Sequence, residues 1–270
     1  MNAFERFLIA LQATMTTPEA YGAFHLTAIA LVALATIFLC VFARNCKDRT
    51  FRGILLVFWV AIVLFETYKQ LIFSVSADVD KAIWQYTWAS FPFQFCDTPF
   101  YILPLAIFLK EGKVRDAAMA FLSTYALLAG ILVMFYPGDV FTTTIGVNIH
   151  TMFHHGTQVI LGIFIASYNR KKLAISSFLR AMLIFIVMVT IAQVMNFVVH
   201  NYITDEQFNM YFISPYFHRE YPIVGALGEK WHWALITLVY TAGFSAIAFL
   251  FYLAERGLAR LFCKKENKVS

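Results

Sequence analysis

The chain has 270 residues, of which 60% are hydrophobic and 14% are charged, and its mean hydropathy is +0.69. This composition excludes a soluble globular protein, because too few polar side chains are available to cover its surface. The net charge of +5 does not indicate a nucleic-acid partner, since the basic residues lie in short runs between apolar stretches. The sequence therefore predicts an all-α, polytopic membrane protein with a single membrane domain over residues 1–270.

The first residues differ from the rest in their hydropathy pattern. Residues 2–16 place apolar side chains at helical spacing opposite polar ones, which predicts a short interfacial helix on the membrane surface. Seven apolar stretches follow, each close to the roughly 20 residues that cross a bilayer. The predicted spans are 21–43, 52–74, 91–109, 116–136, 147–168, 176–200 and 232–255. They predict a seven-transmembrane-helix bundle.

Lys and Arg residues are distributed unequally between the ends of these spans. Sixteen of them lie around the loops after spans one, three and five and in the tail at 256–270, whereas four lie on the opposite side. The positive-inside rule then predicts an outside amino terminus and a cytoplasmic carboxyl terminus. The longest external loop, 201–231, is rich in aromatic residues, which predicts that it rests at the headgroup level.

In this orientation, most polar residues of the spans lie in the outer half of the membrane. Isolated polar groups there are costly unless they have partners, which predicts a polar pocket open to the outer leaflet. The alternative is a set of hydrogen bonds that only hold the helices together, each contributing about 0.6 kcal/mol. The residues predicted to lie at this depth are His25, Glu66, Lys69, Gln70, Gln94, Cys96, Asp97, His150, His154, His155, Gln158, Gln193, Asn196, His200 and His232.

The stretch from Ser90 to Pro104 places a thiol, a carboxylate and three prolines in an apolar run. Pro92, Pro99 and Pro104 each lack a backbone N–H, which predicts a kinked helix. Cys96 is the one strong nucleophile among the predicted pocket residues, and a thiol becomes reactive when a neighbouring imidazole takes its proton. Without such a partner, Cys96 would be an inert packing residue.

The histidines of the fifth span share two helix faces. His150, His154 and Gln158 recur every four residues and lie on one face, while His155 points about 100° away. Histidines at i and i+4 can chelate a metal, but without a carboxylate at close spacing this is a weak signal. The four cysteines also lack metal-site spacing, so we predict no metal ion and no cofactor.

Two further side-chain interactions are predicted by spacing. Glu66 and Lys69 lie at i and i+3, where they can form an ion pair, and Gln70 at i+4 can extend the network. Asp97 directly follows Cys96 and is placed to orient a histidine, or to be neutral in a low dielectric.

The segment FPFQFC-DTPFYILPL at 91–105 resembles a Leu-Pro-Leu, His or Gln, Leu-Cys segment of YwaF-type bacterial integral membrane proteins, which are relatives of the animal transmembrane protein 164. The resemblance spans roughly residues 20–255. Other matching residues are Phe24-His25-Leu26, Glu66 with Gln70, the Pro137-Gly138-Asp139 turn, His155-Gly156, and Asn209, Tyr211 and Pro215.

This resemblance implies a seven-helix fold in a bacterial plasma membrane and an enzyme that moves or hydrolyses lipid acyl chains. It implies that Cys96 is the nucleophile and His155 the general base. His154 is an equally placed alternative, because the family has one histidine before the glycine where this chain has two. Membrane lipids would be the partners, with phospholipid acyl chains as substrate, and amides of Gln94, Gln158 or Asn196 would stabilise the oxyanion.

Two other classes of function stay open. One is a small-solute or ion binding or transport protein that uses Glu66, Lys69 and the fifth-span histidines. The other is a non-catalytic seven-helix membrane component, such as a sensor or assembly subunit, for which the sequence identifies no protein partner. A transporter would require Glu66 and tolerate the loss of Cys96, whereas the enzyme would require Cys96.

Overall fold

The computed structural model describes residues 1–78, 81–138, 140–169, 174–217 and 231–266, which are mostly helical. The helices are α1 (Ala3–Ala10), α2 (Ala23–Phe42), α3 (Asp48–Phe73), α4 (Thr98–Phe108), α5 (Lys113–Phe135), α6 (Ile145–Asn169), α7 (Ile175–Tyr202) and α8 (Trp233–Glu266). Two short strands, β1 (Val75–Asp78) and β2 (Lys81–Trp84), pair antiparallel after α3.

Five of these helices are long and apolar enough to cross a membrane, namely α2, α3, α5, α7 and α8. The other two predicted spans correspond to α4 and α6. Helix α4 has only 11 residues, preceded by a 3-10 turn at Phe95–Asp97. Helix α6 has 25 residues but contains histidines, Asn148 and Gln158, which lower its hydropathy. The chain is therefore a multi-pass helical membrane protein.

Two predicted helices are shorter in the structure. The third span was predicted at 91–109, but residues 91–94 are not helical and the regular helix begins at Thr98. Pro99 occupies the first turn of α4, where its missing N–H leaves no helical hydrogen bond unmade, and Pro104 is accommodated inside the helix. The interfacial helix predicted at 2–16 ends at Ala10.

Helix α6 packs against α2, α3 and α5. Two glycines permit this close packing. A Cβ at Gly130 of α5 would lie 2.7 Å from the His155 carbonyl oxygen, and a Cβ at Gly156 of α6 would lie 2.5 Å from Val32 Cγ2 of α2. Small residues allow membrane helices to approach closely. The polar face of α6 is consequently held inside the protein.

Part of the predicted external loop enters the core. Phe208, Met210, Tyr211 and Ile213 are fully buried, whereas the loop 201–231 was predicted to rest at the headgroup level. Aromatic residues suit both a membrane interface and a protein core, so their presence does not distinguish the two locations. Residues 218–230 of this loop lie outside the described residues.

Candidate functional site

The Cys96 backbone is hydrogen-bonded to two side chains of α6. Its carbonyl oxygen accepts hydrogen bonds from His154 Nε2 and Gln158 Nε2, each at 2.8 Å. Because a carbonyl can only accept, this bond requires a proton on His154 Nε2. On the other side of the turn, the Gln94 N–H donates to Asp97 Oδ2 at 2.7 Å. These bonds fix the thiol and the carboxylate relative to the helix that carries the histidines.

The Cys96 thiol, the Asp97 carboxylate and the His154 imidazole lie together. The thiol sulfur, a carboxylate oxygen and a ring nitrogen of these residues lie within 4.8 Å of one another. Asp97 Oδ1 is 3.5 Å from His154 Nε2, and both side chains are buried. A nucleophile, a base and a carboxylate that orients the base are the components of a thiol-dependent catalytic centre.

His155, the base implied by the resemblance, makes a different contact. Its Nδ1 is 2.8 Å from the Thr151 carbonyl oxygen one turn earlier, which assigns the Nδ1 proton to that bond. Its ring lies edge-on to His154 with centroids 5.3 Å apart. His155 is not a member of the cluster of Cys96, Asp97 and His154, although it lines the same cavity.

Helix α3 contributes a charged network next to this cluster. Glu66 Oε1 accepts from Lys69 Nζ and from Gln70 Nε2, each at 2.8 Å. Gln70 also donates to the Ser90 carbonyl oxygen at 2.6 Å and accepts from the Tyr86 hydroxyl at 2.9 Å. Burial raises the pKa of Tyr86, which keeps that hydroxyl protonated and able to donate.

The second oxygen of Glu66 faces α6. Glu66 Oε2 is 3.4 Å from His150 Nε2, and neither atom has a hydrogen-bond partner within the described part of the chain. The His150 and His154 rings stack with centroids 5.4 Å apart. Glu66 therefore lies at ion-pair distance from His150, whose ring stacks on His154 next to the thiol.

A cavity of about 340 Å³ opens onto these side chains. Lys69, Cys96, Asp97, His150, His154 and His155 line it, together with loop residues such as Thr87, Ser90 and Thr142. The loop residues were not predicted as pocket residues, because they follow no helical periodicity that would place them near the spans. Among the described lining residues, Lys69 is the only lysine or arginine.

Other predicted pocket residues do not line this cavity. His25 Nδ1 accepts from the Tyr21 N–H at 2.9 Å, and its Nε2 is 3.0 Å from the Met134 carbonyl oxygen. The Gln193 amide is buried without a partner among the described residues. His200 stacks on Tyr216, and His232 lies against Trp233. None of these four side chains belongs to the lining of this cavity.

The three amides predicted to stabilise an oxyanion all bind the backbone. Gln94 Nε2 donates to the Asn209 carbonyl oxygen at 2.9 Å, and Gln94 Oε1 accepts from the Tyr211 N–H at 2.7 Å. Asn196 binds both the N–H and the carbonyl oxygen of Met210, at 2.7 and 3.0 Å. Gln158 donates to Cys96, as described above. In this structure the amides hold the turn before α4 and the segment 209–214 in place.

A family model described as the TMEM164 family matches residues 20–253, which include every residue of the thiol and histidine cluster. The match confirms the predicted relationship to transmembrane protein 164. No curated protein and no solved structure matches the chain.

Proposed function

The chain belongs to the TMEM164 family, and we propose that it is a lipid acyltransferase or acyl hydrolase that forms a thioester on Cys96. The observation that carries this proposal is the cluster of Cys96, Asp97 and His154, whose ligand atoms lie within 4.8 Å of one another beside a cavity. Membrane lipids would reach this cavity from the surrounding bilayer.

In the proposed reaction, His154 takes the thiol proton and the Cys96 thiolate attacks the carbonyl carbon of a lipid ester. The C–S bond forms, the ester C–O bond breaks, and the leaving oxygen takes the proton from His154. An acceptor hydroxyl then attacks the thioester, gives its proton to His154 and releases the thiolate. Water in place of the acceptor gives hydrolysis. Asp97 stabilises the transient imidazolium, and Lys69 supplies positive charge to the oxyanion.

His154 is the proposed base because it belongs to the cluster with Cys96, whereas His155 binds the Thr151 carbonyl. The bond from His154 Nε2 to the Cys96 carbonyl leaves Nδ1 as the unprotonated nitrogen of the neutral ring. Proton transfer therefore uses Nδ1, or Nε2 after the ring rotates and exchanges its proton.

Labelling with a phospholipid that carries an alkyne-tagged acyl chain tests the nucleophile. We expect the purified chain to acquire a label that hydroxylamine removes, and Cys96→Ala to lose it. Cys46→Ala is the matched control, because Cys46 is a free cysteine in the connection between α2 and α3, and it should keep the label. Unchanged labelling of Cys96→Ala would exclude Cys96 as the nucleophile.

The base is tested by comparing two neighbouring substitutions. We expect His154→Gln to slow thioester formation about 10²- to 10⁴-fold, the usual contribution of general base catalysis, and His155→Gln to slow it much less. Rates of label incorporation provide the measurement. If His155→Gln lowers the rate of label incorporation more than His154→Gln does, His155 rather than His154 is the general base.

The proposed topology has seven spans, with α4 and α6 joining the five apolar helices, an outside amino terminus and a cytoplasmic tail. The positive-inside charge distribution supports this arrangement, as does α1, which exposes Phe4 and Phe7 on the protein surface as an interfacial helix would. The proposed location is a bacterial plasma membrane, as the resemblance to YwaF-type proteins implies.

A solute- or ion-binding function is the second candidate, since the buried network of Glu66, Lys69 and His150 lies next to the same cavity. This function requires Glu66 rather than Cys96. Cellular activity that is lost in Glu66→Gln but retained in Cys96→Ala would favour it over the acyltransferase.

A further inference from the structure

Two buried side-chain atoms of α3 and α6 face each other at ion-pair distance. Glu66 Oε2 and His150 Nε2 are 3.4 Å apart, and neither finds a hydrogen-bond partner among the residues that the structure describes. Glu66 is 4% exposed and His150 is 6% exposed. A buried polar atom without a hydrogen bond is unfavourable, and a carboxylate oxygen and an imidazole nitrogen directed at one space can share a bound cation.

The spacing of these atoms fits a metal ion. Zinc binds nitrogen and carboxylate oxygen at about 2.0–2.2 Å, and tetrahedral geometry then separates neighbouring ligand atoms by about 3.3–3.5 Å. The 3.4 Å between Glu66 Oε2 and His150 Nε2 matches this separation. A ring nitrogen of His154, which is 3% exposed, lies within 4.8 Å of both other ligand atoms. Two imidazoles and one carboxylate form a common ligand set of catalytic zinc sites.

The surrounding groups orient the carboxylate for this role. Lys69 and Gln70 both donate to Glu66 Oε1, which leaves Oε2 as the ligand atom. Hydrogen bonds from neighbouring groups to a metal-binding side chain are characteristic of metal sites. Glu66 and Asp97 provide two carboxylates, whereas Lys69 provides one ammonium group, so the local charge favours a bound cation. Cys96 and Asp97 form a second group with His154, and a solvent molecule from the cavity would complete the coordination of the ion.

We infer that Glu66, His150 and His154 bind one divalent transition-metal ion of the zinc type. This inference goes beyond the proposed acyl transfer and does not rest on it. An imidazole nitrogen that ligates a metal cannot accept a proton, so metal binding and proton transfer through the same nitrogen of His154 exclude each other. An ion bound at Nδ1, the nitrogen that the bond to the Cys96 carbonyl leaves unprotonated, would suppress thioester formation on Cys96.

Cobalt and zinc titration of the full chain tests the site. The chain is purified in detergent, freed of its affinity tag and stripped of metal with a chelator. We expect one Co²⁺ per chain with the intense visible absorption of a tetrahedral site, and displacement by one Zn²⁺. His150→Gln should weaken Zn²⁺ binding at least roughly tenfold. His155→Gln is the matched control, an adjacent histidine outside the ligand set, and should bind Zn²⁺ like the unmodified chain.

Glu66→Gln leaves Lys69 buried without its partner, so the carboxylate is tested in the double variant Glu66→Gln/Lys69→Met. We expect this variant to elute as a monodisperse species and to bind Zn²⁺ at least roughly tenfold more weakly. The inference is overturned if the folded, unmodified chain binds no stoichiometric Co²⁺ or Zn²⁺, or if His150→Gln and the double variant both bind with unchanged affinity. Either failure leaves the acyl label on Cys96 unaffected, so the two proposals are tested separately.

Discussion

Cys96 contributes two groups with different roles at the site. Its carbonyl oxygen binds His154 and Gln158 of α6, while its thiol lies near His154 and Asp97. The carbonyl bonds position the backbone regardless of the side chain at residue 96. Substituting the thiol should therefore remove its chemistry without displacing the turn, which makes Cys96→Ala a clean test of the nucleophile.

Glu66 and Lys69 form the buried ion pair of the site. Removing one member of a buried pair leaves an uncompensated charge, at a cost of about 3–5 kcal/mol. We expect Glu66→Gln to lower the midpoint of thermal unfolding in detergent, and Glu66→Gln/Lys69→Met to recover most of the loss. An unchanged midpoint in Glu66→Gln would show that Lys69 gains no stabilisation from Glu66.

At the scale of elements, the segment 209–214 is held between α7 and the turn before α4. Tyr211 and Phe212 have φ values of 57° and 56°, in the left-handed region that non-glycine residues rarely adopt. Gln94 and Asn196 bind the backbone of this segment and compensate for the unfavourable conformation. The same segment then buries Tyr211 against Phe93 and Phe95.

Gln94→Ala tests how strongly this segment is held. The substitution leaves the Tyr211 N–H and the Asn209 carbonyl without their partner, at a cost of about 1–3 kcal/mol for each buried group. We expect a lower unfolding midpoint and faster proteolysis within the segment. Gln85→Ala is the control, since the Gln85 amide contacts Glu206 on the exposed surface. Equal midpoints for the two variants would contradict the proposed anchoring role.

Across the whole molecule, the site and the first basic loop lie at opposite ends of α3. Cys46 precedes the start of α3 at Asp48, whereas Glu66 and Lys69 of the site lie near its end at Phe73. A helix of 26 residues is about 39 Å long, enough to cross the bilayer. The two ends of α3 should therefore face different compartments.

Membrane-impermeant thiol reagents test this topology. Added to intact cells that carry single-cysteine variants, they should modify Cys96 through the cavity, which the proposed orientation places on the outer side, and leave Cys46 unmodified until the membrane is permeabilised. Modification of Cys46 and protection of Cys96 in intact cells would reverse the proposed orientation.

Local sequence predicted the positions of most helices but not all of their limits. Hydropathy located α2, α3, α5 and α7 closely, as well as the start of α8, because the free energy of placing a side chain in lipid depends on that side chain and its depth rather than on tertiary contacts. Helix α8 was predicted to end at residue 255 but continues to Glu266. The turn at Phe95–Asp97 was predicted as helix because the prolines of an apolar run predict a kink without locating the first regular turn. The burial of Tyr211 could not be predicted from a composition that suits an interface equally well.

The sequence by itself determined that this is a multi-pass helical membrane protein whose polar spans carry a thiol and several histidines. Only the tertiary structure decided which of these groups meet. His150 and His154 alone were a weak metal signal, and their carboxylate comes from Glu66, 84 residues earlier than His150, on another helix. The choice of His154 as the neighbour of Cys96 likewise depends on how α6 packs against the turn before α4. Contacts between distant segments depend on helix packing, and no local pattern of side chains specifies them.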